Sequence, residues 1–235
     1  MRKAVFFDLD GTLLALDMEQ FSKTYFSLVE NCGFYDLFGR DGRRIFGSGI
    51  RAILNNDGTM LNRDVFLKVV SEASDADPDA ILKHMDAFYA NEFPKIRACS
   101  HSDVRAIETV RILKEKGYRL ILSTNPIFPS SATNVRIEWA GLDLDDFEYV
   151  SYYDNSHYCK PNLEYFKEIL DRTGLSAEEC YVVGNDVLED MSATALGFEG
   201  FLVLDNVIGD LGKVPPCVQG NYSDLLSFAK NLPQV

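Results

Sequence analysis

A chain of 235 residues, 46% hydrophobic and 25% charged, can bury a full core in one large or two smaller domains, and this balance excludes disorder and fibrous repeats. The net charge of −13 argues against nucleic acid and membrane surfaces as general partners, since both attract an excess of Lys and Arg. No apolar run approaches the roughly 18 residues that span a bilayer, and five scattered cysteines without a CxxC pair are expected to be reduced thiols in a cytoplasmic protein.

In chain order, residues 3–8 read as an apolar strand, terminated by Gly11. Residues 16–97 then read as helices joined by polar turns. Within them, Asn62 is a candidate N-cap ahead of a face carrying Phe66, Val69 and Val70, and Asp77 caps a helix with Pro78 in its first turn. Val104, Ile107, Val110 and Leu113 form an apolar stripe that predicts a helix ending at Gly117. The near-continuous apolar run 118–124 is of the type buried on both faces of a sheet. A helix near 130–140, a strand at 147–152, a helix at 162–173, a strand at 180–184, a helix at 189–196 and a strand at 201–204 follow.

This alternation predicts an α/β fold, a Rossmann-like doubly wound parallel sheet. The roughly 80 helical residues after the first strand exceed an ordinary connection, and predict an inserted second domain. The expected division is a catalytic core of residues 1–15 and 98–235 and a helical domain of residues 16–97.

Asp8 and Asp10 stand at i and i+2 of an extended chain, so their carboxylates share one side. At about 5 Å and an effective dielectric near 20, their repulsion is roughly 3 kcal/mol, which a shared proton or a cation must offset. Open sheets bind ligands beyond the carboxyl ends of their strands. The other polar residues predicted there are Ser123-Thr124-Asn125, Lys160, Asn185-Asp186 and Glu189-Asp190. Carboxylates, hydroxyls and one lysine suit magnesium and phosphate, so a metal is the favoured answer.

These residues, in this order, resemble the haloacid dehalogenase-like superfamily of phosphatases. DLDGTLL (8–14) is similar to its first motif, Thr124 in LILSTN to its second, Lys160 in CKPNLEYF to its third and VGNDVLED (183–190) to its fourth. The resemblance implies that Asp8 attacks phosphorus to form an aspartyl-phosphate and that Asp10 is the general acid and base. It also implies that Thr124, Asn125 and Lys160 hold the phosphoryl group of a small phosphorylated metabolite. Mg2+ would sit on Asp8, Asp10 and a residue of the fourth motif, Asn185 or Asp186, with Asp190 orienting its waters. The family's first position there is Asp and here is Asn185, which leaves the ligand open between 185 and 186. Residues 16–97 would be the helical cap that closes over the site. A phosphomutase acting on a sugar phosphate and a non-catalytic phosphate-binding relative stand as alternatives.

Other features carry ordinary readings. His84, His101 and His157 lack metal-like spacing, and the basic cluster GRDGRR (39–44) is either an anion clamp or a solvated loop. Cys159 beside Lys160 raises the minor possibility of a reactive thiolate. The sequence sets no oligomeric state.

Overall fold

The structure, a computed structural model, describes residues 2–235. The chain runs through β1 (Ala4–Phe7), β2 (Leu14–Leu16), α1 (Met18–Asn31), α2 (Gly42–Leu54), α3 (Asn62–Ser74), α4 (Pro78–Asn91) and β3 (Ser100–Ser102). It continues with α5 (Val104–Glu115), β4 (Arg119–Leu122), α6 (Ser130–Trp139), β5 (Tyr149–Val150) and α7 (Leu163–Thr173). The last elements are β6 (Cys180–Gly184), β7 (Glu199–Val203), β8 (Val218–Gly220) and α8 (Tyr222–Asn231).

Six strands form one parallel sheet in the order β5-β4-β1-β6-β7-β8. β1 lies between β4 and β6, with Phe7 opposite both Leu122 and Val183. Because side chains alternate along a strand, β1 feeds two cores: Val5 and Phe7 enter one, Ala4 and Phe6 the other. All four are fully buried, as expected of a strand covered on both faces. Chain order runs outward on either side of β1, so the crevice of such a sheet falls at its carboxyl end, at Asp8.

The predicted α/β fold is therefore observed, with shifts at its edges. The expected strand 147–152 contracts to Tyr149–Val150, and the expected helix 189–196 is a 3-10 segment, Met191–Leu196. Asn62 is not an N-cap: Leu61 takes that position, while Asn62 is fully buried, its Nδ2 donating to the Pro126 carbonyl at 3.2 Å and its Oδ1 accepting from Asn56 Nδ2 at 2.9 Å. Val104 is 75% exposed, and α5 buries Ala106, Thr109, Val110 and Leu113 instead. The cause is the cap: Asp103 accepts from Arg105 N–H at 2.8 Å, which turns the first residue of the helix to solvent.

Two features were not read from the sequence. β2 and β3 pair antiparallel where the chain enters and leaves the helices of residues 18–99, a ladder too short and too polar at Ser100-His101-Ser102 to show strand periodicity. Beyond β7 lie β8 and α8, the latter opened by a capping box between Asn221 and Asp224. Among the described residues, no helix is long and apolar enough to cross a membrane.

Candidate active site

Asp8 leaves β1 as its N–H donates to the Val183 carbonyl at 2.9 Å, fixing it at the sheet's carboxyl edge. Its side chain is nearly buried, and Lys160 Nζ donates to Oδ1 at 2.8 Å. The same ammonium donates to Asp190 Oδ1 at 2.6 Å, while Asp190 Oδ2 accepts the N–H groups of Asn185 and Asp186 at 3.0 and 2.9 Å. Both Asp190 oxygens are thus engaged, Oδ1 by Lys160 and Oδ2 by the 185–186 loop. The expected third and fourth motifs are joined through this one carboxylate.

Burial pushes the Asp8 carboxyl up to about 7, with Lys160 opposing the shift and the Asp190 charge adding to it. Burial would discharge Lys160, yet Asp190 and Asp8 outweigh it and hold the ammonium well above its ordinary value. Lys160 is therefore a fixed positive charge against Asp8.

Asp10 pairs with Arg136, which sequence reasoning missed. Arg136 is fully buried on α6; its Nη1 donates to Asp10 Oδ2, its Nε to the Ala132 carbonyl at 3.1 Å and its Nη2 to Thr133 Oγ1 at 3.2 Å. The guanidinium also lies 4.6 Å from the centre of the Phe128 ring. Its position in the chain carried a signal: Thr133, Arg136, Ile137 and Ala140 share the buried face of the helix, and an arginine in that register needs a partner. Asp10 Oδ1 is buried without any hydrogen bond among the described residues.

The loop after Asp10 is shaped by Gly11, at φ +90°, where a Cβ would come within 2.3 Å of Asn185 Nδ2. Thr12, also missed, donates to Asn185 Oδ1 at 3.0 Å, and Asn185 Nδ2 donates to the Asn206 carbonyl at 2.7 Å. The Asn185 amide is thereby pinned. Asp186 Oδ1 accepts from the N–H groups of Leu188 and Glu189 at 2.7 and 2.8 Å, and its other oxygen makes no hydrogen bond among the described residues. Gly184 is required for the same packing, since a Cβ there would meet the Asp190 carboxyl carbon at 2.2 Å.

Thr124, just past β4, is buried and lines the same cavity as Asp8. Its carbonyl is held by Ser151 Oγ at 2.7 Å and Tyr165 Oη at 2.9 Å, which leaves its hydroxyl free of partners among the described residues. Asn125 is turned otherwise: its Nδ2 donates to Glu189 at 2.9 Å, and its buried Oδ1 has no partner among the described residues.

At this end of the cavity five carboxylates, of Asp8, Asp10, Asp186, Glu189 and Asp190, meet one ammonium, that of Lys160. An all-oxygen donor set with surplus negative charge and an orphaned Asp10 oxygen suits a hard divalent cation. Among the described residues no three His, Cys, Asp or Glu side chains form a closed metal cage. Magnesium does not require one, since it takes one or two carboxylates and completes its shell with waters and phosphate.

The remaining candidates separate cleanly. Arg43 and Arg44 of the basic cluster begin α2, are about 70% exposed and pair with Glu30 at 2.6 Å and Asp41 at 2.9 Å, outside the cavity lining, so the cluster is solvated surface and neither a loop nor part of that site. Cys159 is buried, and burial, with the Glu189 charge adding to it, pushes its thiol up to about 12, which removes the reactive-thiolate reading.

Comparison with known proteins places this geometry. The family model for a hydrolase, haloacid dehalogenase-like hydrolase, matches residues 2–196, and the chain belongs to that family. A glyceraldehyde 3-phosphate phosphatase of Methanothermobacter thermautotrophicus is 27% identical over 212 residues, 86% of each chain. Among solved structures, a HAD phosphatase from Thermococcus onnurineus aligns with a TM-score of 0.60 at 21% identity, over 99% of this chain and 100% of that one. An L-2-haloacid dehalogenase aligns with a TM-score of 0.56 at 18% identity, over 97% and 99%. Both structures share the fold.

Proposed function

We propose that this hydrolase is a Mg2+-dependent phosphatase that cleaves a small phosphate monoester through an aspartyl-phosphate on Asp8. The observation that carries this reading is the buried Asp8–Lys160–Asp190 chain, which lines one cavity with Asp10. Lys160 holds Asp8 Oδ1 in place, and its charge favours both the ionised nucleophile and the approaching phosphoryl group. The phosphatase relative at 27% identity supports the same reaction class.

In the first step an Asp8 oxygen bonds to phosphorus as the ester P–O bond breaks, and the departing oxygen takes a proton from Asp10. In the second, Asp10 takes a proton from water, whose oxygen bonds to phosphorus as the Asp8–phosphorus bond breaks and phosphate leaves. Both transfers are assigned to Asp10 Oδ1, which has no partner among the described residues while Arg136 holds Oδ2. Thr124 supplies a hydroxyl donor to the phosphoryl oxygens. Asp8, the main-chain carbonyl of Asp10 and the Asn185–Asp186 pair would hold Mg2+, which offsets carboxylate and phosphate charge when bound. Residues 16–97 act as the cap.

Incubation of the protein with p-nitrophenyl phosphate and Mg2+ should release phosphate, EDTA should stop it, and Asp8→Asn should abolish it. Undiminished release by Asp8→Asn would refute the assignment of the nucleophile.

A further inference from the structure

The cavity that opens beside Asp8 has a volume of about 340 Å³, within the range of small-molecule sites. Its two ends differ in chemistry. The acidic end is described above. The wall contributed by residues 18–89 is apolar or aromatic at every position except Ser22, and its Phe21 ring meets Phe128 edge-on at 6.2 Å. Of the tyrosine hydroxyls of that wall, those of Tyr25 and Tyr89 pair with each other at 3.0 Å, so the pair keeps one O–H donor instead of two. Among the described residues no Lys, Arg or His other than Lys160 lines the cavity, and Lys160 is already held by two carboxylates. Met18, Phe26 and Leu54 also line it while remaining 41–45% exposed, so the apolar surface continues outward to solvent.

A polyhydroxylated or carboxylated leaving group would lose water along the wall of residues 18–89 and find few polar partners and no cation there, and each unpaired hydroxyl or charge weakens binding. A hydrocarbon group would gain from burial along the whole wall. Resting on the phosphatase reading above, we infer that the substrate is a phosphate monoester of an uncharged, predominantly hydrocarbon alcohol or phenol. The same observation disfavours the sugar-phosphate mutase.

The test is a series of alkyl phosphates, methyl through hexyl, whose leaving groups differ little in intrinsic reactivity, assayed with Mg2+ beside glyceraldehyde 3-phosphate and phosphoglycolate. The expected result is a kcat/KM that rises by up to about four-fold per methylene, with butyl phosphate at least ten-fold above both polar esters. Ile50→Asn, at a half-buried position of the wall, should flatten that slope to less than two-fold per methylene. A flat series in the unaltered protein, or preference for either polar ester, overturns the inference while leaving a phosphatase. Failure to hydrolyse any ester, p-nitrophenyl phosphate included, overturns the phosphatase reading and this inference with it.

Discussion

Replacing Arg136 by Met removes a fully buried guanidinium and substitutes an uncharged side chain of similar reach. The losses are the ion pair to Asp10, the bonds to the Ala132 carbonyl and Thr133, and the contact over Phe128. Removing one member of a buried pair costs about 3–5 kcal/mol, chiefly because the other charge is left behind. The Asp10 side chain is 19% exposed, so water solvates part of the orphaned carboxylate and the lower end, about 3 kcal/mol, applies. Met retains contact with Phe128, which keeps the packing loss small. For a chain of this size, each kcal/mol lowers Tm by about 2–4 °C, so calorimetry of Arg136→Met should show a fall of about 6–12 °C. Phosphate release should also drop about a hundred-fold as Asp10 loses its position, with the larger effect on kcat. The double variant Arg136→Met/Asp10→Asn should lose less stability than the two single changes summed, by about 1–3 kcal/mol. A Tm within about 2 °C of the unaltered protein, or strict additivity in the double variant, would refute the argument.

Gly11→Ala places a Cβ at φ +90° against Asn185, and should cut phosphate release at least about a hundred-fold by displacing that loop, which parallel kinetics would measure. Asp103→Ala should cost about 1 kcal/mol at neutral pH through loss of the α5 cap. Hydrogen bonds from Arg105 hold the Asp103 carboxyl below its ordinary range, so its contribution is present above the unfolded pKa near about 4 and is lost as pH falls through the lower folded value. Asp103→Asn should therefore flatten the fall of Tm in that acid window, and an unchanged slope would count against the pairing. Titration with a thiol reagent should find Cys32 and Cys217 reactive in the native protein, with Cys99, Cys159 and Cys180 reacting only on unfolding. Rapid native modification of Cys159 would contradict its burial.

The fold was legible wherever local pattern and long-range packing agree. The apolar run ending at Asp8, the run 118–124 and CYVVG (180–184) each declare a two-face-buried strand, and each lies in the sheet. The polar residues expected at the carboxyl ends of strands, Asp8, Thr124 and Lys160 among them, likewise line one cavity. Shorter features escaped because a three-residue ladder such as β2–β3 has too few positions for a period to emerge.

What the chain alone determined is the order of strands and helices and the inventory of oxygens and cations at the sheet's edge, because side-chain alternation and helical period act over a few residues. Only the tertiary structure decided which partner each charge takes and what kind of surface lies beyond the carboxylates. Asp10 meets Arg136 across 126 positions, and Lys160 meets Asp8 across 152. The cavity wall likewise joins four helices to the loop after β4. No local period encodes such pairings, since they arise from how burying apolar faces forces distant polar groups to satisfy one another.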